Sequence, residues 1–539
     1  MSTTDLSIDG EHLTIGDLVS VARGGRPVQL ASEARKNMGR SYAWVREAGK
    51  AERPVYGVTT GFGSLARVTI AAGDRAKLSL NLVRSHAAGV GAPLSVPVVR
   101  GMMLLRANAL AKGASGCRPL LVDTILAMLN AGVTPLVPSQ GSCGSSGDLA
   151  PLAHLGLVMA DGPHGEAHYQ GQLMFAGDAM AAAGIPRLVL EAKDGLAITN
   201  GAQLTTSIAA LACHDACNLI LAAEVAAAMS IEALRGATRA FHPAVHRLRP
   251  YVGSRATAAN LCRLMAGSSL VDSVPHKVQD AYSLRCTPQV VGAARDAIAH
   301  AVGQVQVELN AATDNPVILV DADPAEGGFE SDPKNFAYSA GLFHGEHVGI
   351  SMDLLKIAVA EAGSLSERRL YRLTTGSLSQ RLPAGLARAD RPELGFMLPQ
   401  TTAAALVSEN KSLGWPASMD SIPTCEDQED HVAMSTTAAR RAAEVVENAQ
   451  HIIAIELLGA AHALAFRSDE QPNLVTGQGT GPAFLNVVRA LGQLGSARSP
   501  SEDIGRVVEL VKGERMGLLD GLPALIPVGS VPPEGKPLS

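Results

Sequence analysis

A chain of 539 residues is long enough for one large domain or several ordinary ones, so a deep site closed to water lies within its folding capacity. A formal net charge of −6, with no block of five or six like charges, excludes the electrostatic footprint of a nucleic-acid binder or of a protein drawn to an anionic membrane, and leaves small-molecule chemistry. Hydrophobic residues make up 47% and aromatic residues only 3%, so the core is built from Ala, Leu, Val and Ile, a composition that favours closely packed helices.

The first residues, MSTTDLSIDGEHLTIGDL, lack the basic start and apolar run of a secretory signal, and no later segment has eighteen uninterrupted apolar residues. The expectation is a cytoplasmic protein without a membrane or nucleic-acid partner. No solenoid-like repeat and no Gly/Ser or Pro linker divides the chain. Residues 1–202 alternate short apolar runs with turns rich in glycine or proline, among them VYGVTTGFGS (55–64) and VPSQGSCGSSGDLAP (137–151), and predict a mixed, loop-rich portion of the kind on which chemistry tends to reside.

From residue 203 the character becomes helical. The stretches 203–236, 288–312, 345–375, 400–413, 431–466 and 503–518 are rich in Ala, Leu, Glu and Arg. Within 431–466, Ala442, Val445, Val446 and Ala449 fall at i, i+3, i+4 and i+7, with Arg440, Arg441, Glu444 and Glu447 mostly on the other side, so that face packs on another helix. The insert DADPAEGGFESDPKNF (321–336) reads as an exposed loop. Ser499-Pro500-Ser501-Glu502 has the order of a capping-box start, for a helix ending around Lys512-Gly513. The stretch GLPALIPVGSVPPEGKPLS (521–539) is too rich in proline and glycine for regular structure and reads as a surface tail. The predicted organisation is mainly α: a loop-rich portion over 1–202, a long-helix bundle over 203–525, and a Pro/Gly-rich tail over 526–539.

Seven cysteines (Cys117, Cys143, Cys213, Cys217, Cys262, Cys286, Cys425) are scattered, odd in number and without the paired close spacing of a zinc site, and read as reduced thiols in packed surroundings. Cys213, His214 and Cys217 come nearest to a metal cluster. They lie in a helical stretch without a second ligand pair, so they are assigned to core helix and no metal is expected.

The densest chemistry lies in QGSCGSSGDLAPLAHLG (140–156), where glycines and serines crowd before an apolar run and Asp148 follows the last glycine of the group. On composition alone this is a turn leading into a helix. The string SGDLAPLAH (146–154) resembles the signature of the aromatic amino-acid ammonia-lyases and aminomutases. In that family an internal tripeptide, usually Ala-Ser-Gly, cyclises autocatalytically to 4-methylidene-imidazol-5-one (MIO), so the resemblance implies an MIO formed from Ser145-Ser146-Gly147 and no external cofactor. The residue types suit that chemistry. The Gly147 nitrogen must attack the Ser145 carbonyl, which needs a tight backbone that glycine adopts at low cost, and dehydration of Ser146 supplies the methylidene. Ser145 departs from the usual alanine, and cyclisation is expected to survive because the attacked atom is its carbonyl.

The other motifs follow the family's order. Tyr56, which alone would read as a structural tyrosine in a turn, takes by resemblance the place of the base, because ammonia elimination removes an unactivated β-proton in a site closed to water. Gly57, Gly61 and Gly63 let its loop close. In NLVRSHAAGVG (81–91), His86 is by itself as readily a structural histidine, but it stands where relatives discriminate substrate rings. Asn200, in GLAITNGAQ (195–203), matches the asparagine that contacts substrate or prosthetic group. KVQDAYSLRCTPQ (277–289) carries Gln279, Tyr282 and Arg285, with Arg285 suited to a bidentate grip on the α-carboxylate; isolated arginines are otherwise surface charges or salt bridges. GLFHGEHV carries Phe343. Glu429, in DSIPTCEDQEDHVAMS (420–435), matches the histidine-acting branch, whereas phenylalanine and tyrosine relatives commonly carry glutamine there. A carboxylate accepts a hydrogen bond from an imidazole N–H or relays a proton to departing ammonia. By position alone Glu429 is one of several acids, with Glu426, Asp427 and Asp430, at the positive end of the following helix. Met397, in GFMLPQ, also matches the histidine branch. Ala281 replaces a usual proline and Leu342 a usual asparagine, and both bear on the pocket around Tyr282 and Phe343.

The resemblance spans roughly residues 10–520 and implies a mainly α-helical homotetramer. It implies active sites assembled from three subunits, with Tyr56, His86 and the prosthetic group on one and the Tyr282–Arg285 and Phe343 segments on others. The implied reaction converts L-histidine to urocanate, with Tyr56, Ser145, Ser146, Gly147, Tyr282 and Glu429 catalytic and His86, Asn200, Gln279, Arg285, Phe343 and Met397 binding substrate. Two alternatives stay open: a tyrosine- or phenylalanine-type lyase or 2,3-aminomutase, and an inactive structural homologue, against which the retained Tyr56, Ser146, Gly147 and Arg285 stand.

Overall fold

The computed structural model describes residues 5–63, 66–161, 163–323, 326, 335–388, 395–495, 498–513 and 517–532. Most of the predicted 321–336 loop and the tail beyond 532 lie outside the described residues. The fold is mainly α, as expected, and divides into two compact units. The first comprises Met1–Leu211, Gly303–Met352 and Pro416–Arg440; the second comprises Ala212–Val302, Asp353–Trp415 and Arg441–Ser539.

The first unit holds far more helix than its turn-rich sequence suggests: Ile15–Ala22, Ser32–Lys50, Arg75–His86, Val96–Ala111, Pro119–Ala131 and Leu149–Ala160. The local signals are sound at the helix ends. Thr14 accepts a hydrogen bond from the Asp17 amide and closes a capping box, and Pro119 opens a helix that Gly132 ends at φ +80°. The middle of Val96–Ala111 gives no signal. Every residue from Val99 to Ala111 is buried, Arg100 and Arg106 included, so no amphipathic period is written into it. Strands are short: Leu6–Ile8 pairs parallel with Val28–Leu30, and Glu166–Tyr169 forms a hairpin with Gln172–Phe175.

The long helices lie close to their predicted spans, at Gln203–Ala233, Thr287–Glu308, Glu346–Thr374, Met397–Leu413, Ser435–Glu470 and Pro500–Lys512. The predicted 431–466 helix starts late, at Ser435, because Met434 has a positive φ that interrupts helix. The predicted 503–518 helix ends at Lys512, where Gly513 turns left-handed at φ +74°. Ser499 caps that helix by accepting from the Glu502 amide, while the Glu502 carboxylate pairs with Arg506.

In the second unit, Ala442, Val445, Val446 and Ala449 are all buried, as their spacing predicts. Gly363 faces the same stretch, where a Cβ on it would lie at ordinary contact distance from Ile452 (3.4 Å) and Ala449 (3.7 Å). The unit is held by paired interior charges. Glu456, fully buried, accepts from Ser230, Ser366 and both Nε and Nη2 of Arg369. Glu224 likewise accepts from Thr257, Asn260 and Arg295. Residues 521–532 have no regular structure, yet Ile526 is buried, its amide donates to Asn260, and Arg295 donates to the Ile526 and Pro527 carbonyls. The chain is therefore pinned as far as Pro527.

All seven cysteines are free. Burial pushes the Cys217 thiol up to about 11 and Cys213 further still, and His214 bonds Asn218 one turn along the same helix. Helices Gln203–Ala233 and Ser435–Glu470 are long and apolar enough to cross a membrane, but 72% and 78% of their most apolar windows is buried within the protein.

Candidate active site

The Gly/Ser-rich stretch forms a tight, mostly buried turn immediately before helix Leu149–Ala160. Its backbone is left-handed at three points, Gly144 (φ +70°), Ser146 (φ +55°) and Gly147 (φ +77°). Gly147 cannot be replaced without moving backbone, since a Cβ there would stand 2.4 Å from the Gly201 nitrogen. That close approach pairs the two glycines as a parallel bridge and lets the Asp148 amide donate to the Gly201 carbonyl at 2.7 Å. The Ser145 hydroxyl, buried, accepts from the Ala433 amide at 2.7 Å, and the Gly345 amide donates to the Gly144 carbonyl at 2.9 Å.

Asp148 anchors the turn from beneath. It is completely buried and accepts from the Ser142 hydroxyl (2.7 Å), the Thr205 amide (2.8 Å) and the Thr205 and Thr436 hydroxyls (both 2.9 Å). Burial pushes its carboxyl up, and these four donors oppose the shift. Asp148→Ala strands buried donors on three segments and is expected to lower unfolding free energy by about 2–4 kcal/mol, measured as a reduced urea midpoint at unchanged slope.

Above the turn lies a cavity of about 530 Å³ lined by residues of the first unit. Seven of the predicted residues line it: Tyr56, His86, Ser145, Ser146, Asn200, Phe343 and Glu429. The Tyr56 hydroxyl accepts from the Gly63 amide at 3.0 Å, and its ring meets Phe62 edge-on. Gly57, at φ +65°, makes this loop possible, because a Cβ there would clash with Leu196. His86 ends helix Arg75–His86, with Nδ1 3.0 Å from the Ser85 hydroxyl. Burial lowers its pKa, which a backbone hydrogen bond and the nearby Glu429 charge oppose, so at neutral pH the imidazole is uncharged.

Glu429 is carried on a short turn rather than on a helix. Thr424 and Glu429 form an antiparallel bridge, with Cys425, Glu426 and Asp427 between them in left-handed conformation. One Glu429 oxygen accepts from the Thr424 hydroxyl at 2.5 Å, and the other accepts from the Ser146 hydroxyl. Thus the serine of the turn and the predicted ring-reading acid are in direct contact.

Asn200 is buried. Its amide nitrogen donates to the Asn315 carbonyl at 3.1 Å, while its side-chain oxygen has no hydrogen-bond partner among the described residues. The backbone beneath is fixed by fully buried Arg106, which donates to the carbonyls of Asn200 (2.6 Å) and Thr313 (3.2 Å).

Phe343 lines the same cavity as Tyr56 within the single chain. The 341–346 segment is tied to the tripeptide turn through Gly345 and belongs to the same unit. Gln279, Tyr282, Arg285 and Met397 are in the second unit and do not line this cavity. Gln279 is exposed, Tyr282 is 70% and Met397 60% exposed, and the Arg285 guanidinium lies 4.7 Å from the Tyr282 ring centre.

Sequence reasoning gave no role to Ser142, Thr205 and Thr436, whose hydroxyls serve Asp148, nor to Asn315, whose side-chain oxygen accepts from Ser339 and the Ala340 amide. Single hydroxyls and amides carry no local signature. Only the fully buried Asp148 beside a glycine turn hints that donors must come from elsewhere.

The family described as aromatic amino acid lyase matches residues 13–490. A histidine ammonia-lyase of Alkaliphilus metalliredigens is 45% identical over 507 residues, covering 94% of this chain and 96% of the relative. Among solved structures, histidine ammonia-lyase from Trypanosoma cruzi is 37% identical with a TM-score of 0.84, covering 95% of this chain and 94% of that one. Tyrosine aminomutase from Streptomyces globisporus is 33% identical with a TM-score of 0.86, covering 95% and 97%.

Proposed function

The chain belongs to the aromatic amino acid lyase family, and we propose that it eliminates ammonia from L-histidine to give urocanate, using an MIO group formed from Ser145, Ser146 and Gly147. The observation that carries this reading is the contact of the Ser146 hydroxyl with Glu429 in a cavity that also holds Tyr56, His86 and Asn200. The tripeptide suits cyclisation: the turn is left-handed at Ser146 and Gly147, and Gly147 has no room for a side chain. Once formed, the group supplies a carbon electrophile that no ordinary side chain offers.

The chain's own residues supply the rest. Tyr56 takes the β-proton at its phenolic oxygen, a role that requires the phenoxide, and the Gly63 amide donates to that oxygen. His86 and Glu429 read the substrate imidazole, one through its ring nitrogens and the other through its carboxylate oxygens. Arg285 clamps the α-carboxylate, with Tyr282, Gln279 and Met397 completing the site from a neighbouring subunit of a homotetramer. The exposure of Gln279, Tyr282 and Met397 in the single chain supports that arrangement. Seven free cysteines suit a reducing cytoplasm.

Purified protein given histidine, tyrosine or phenylalanine separately, with ultraviolet absorbance and ammonia release followed together, tests the reading. Urocanate from histidine is expected, and its absence overturns the assignment. The rival reading, for which the likeness to a tyrosine aminomutase at 33% identity speaks less strongly, predicts coumarate or a β-amino acid from tyrosine instead. Glu429→Gln should lower kcat/KM for histidine about 10–100-fold, the loss of one charge-assisted hydrogen bond, measured by initial rates.

A further inference from the structure

Two segments place metal-ligating side chains together at the cavity, whose lining includes His344 and His431, and the proposed elimination assigns them no role. His344, Glu346 and His431 each offer a ligand atom, and these atoms lie within 4.8 Å of one another; among the described residues this is the group of three or more such side chains able to hold an ion. The two imidazoles stack with centroids 5.7 Å apart, and His344 Nε2 makes only a long 3.4 Å contact with the His431 carbonyl. One Glu346 oxygen is buried without a hydrogen-bond partner. Glu346 also opens helix Glu346–Thr374, where a carboxylate is favourable by itself, but helix polarity explains neither the convergence of two imidazoles nor the unpartnered oxygen.

We propose that His344, Glu346 and His431 form a binding site for a divalent first-row transition-metal ion of the zinc class. Two imidazoles and one carboxylate select such ions over calcium or magnesium, which prefer all-oxygen shells. An ion held at about 2.0–2.2 Å draws its ligand atoms to about 3–3.5 Å of one another, so binding here requires the side chains to rotate inward from their present spacing of up to 4.8 Å. Three protein ligands leave at least one position for solvent. The ion would tie the segment of Phe343 to that of Glu429, two residues before His431, and so brace two walls of the cavity.

Cobalt(II) is the probe that tests this, because its visible bands report nitrogen and oxygen ligation while thiolate ligation adds intense near-ultraviolet charge transfer. Full-length protein titrated with cobalt(II) should bind one ion per chain with visible bands and no thiolate transition, and loading should raise the thermal unfolding midpoint. Glu346→Gln and His344→Gln should each weaken binding at least about tenfold, whereas Cys425→Ser should leave it unchanged. Absence of stoichiometric binding by the unmutated protein, thiolate-type spectra, or undiminished binding in both variants each overturns the proposal. The titration of unmutated protein decides even if a variant fails to fold, and histidine turnover does not enter the readout.

Discussion

Ser146→Ala is expected to abolish ammonia release from histidine, with turnover falling by more than about 10⁴-fold, a modest fraction of the 10⁶-fold or greater acceleration typical of enzymes. The size of the loss follows from what is removed. On the proposed reading Tyr56, His86 and Glu429 hold or deprotonate the substrate, and none of them is a carbon electrophile, so their retention rescues little. Folding should be largely intact, because the Ser146 hydroxyl contacts Glu429 while the turn is held by Gly147, the Ser145 hydroxyl and the Asp148 hydrogen bonds. Intact mass separates the explanations. The unmutated chain should be lighter than its sequence by two waters, and Ser146→Ala should lack at least the loss that its hydroxyl supplies. An unmutated chain of full sequence mass would remove the basis of the reading.

Tyr56→Phe should lower kcat for histidine by about 10²–10⁴-fold, the usual contribution of a positioned general base, with little change in KM. The phenyl ring keeps its edge contact with Phe62, so the loop over residues 55–63 should stay in place. Only the oxygen that accepts from Gly63 disappears. Dehydration of the tripeptide should still register by mass, which distinguishes loss of the base from loss of the electrophile. Near-normal kcat in this variant would transfer the proton-abstracting role away from Tyr56.

Where a function is written in neighbouring residues, the sequence can be read directly. The Ser145-Ser146-Gly147 turn is such a case: its chemistry requires left-handed backbone, and glycine announces it. The long helices are legible for a related reason, since strong helix formers run for several turns. The Asp148 cradle is illegible because its donors come from Ser142, Thr205 and Thr436, and the last two lie 57 and 288 residues away along the chain. Helix Val96–Ala111 is hidden by complete burial, which erases periodicity. Tyr282 and Arg285 match the motif, yet the exposure of Tyr282 and the half-buried setting of Arg285 in the single chain are not something spacing expresses.

The turn from Thr424 to Glu429 has a consequence for how this architecture changes over generations. On the proposed reading, the acid that would face the substrate ring sits on six residues closed by their own bridge, whereas the Ser145-Ser146-Gly147 turn is fastened by Asp148 to buried helices. Inheritable variation in the small turn therefore reaches substrate preference while leaving the deep fastening untouched. Divergence toward new amino acids has a short, separable stretch of sequence on which to act.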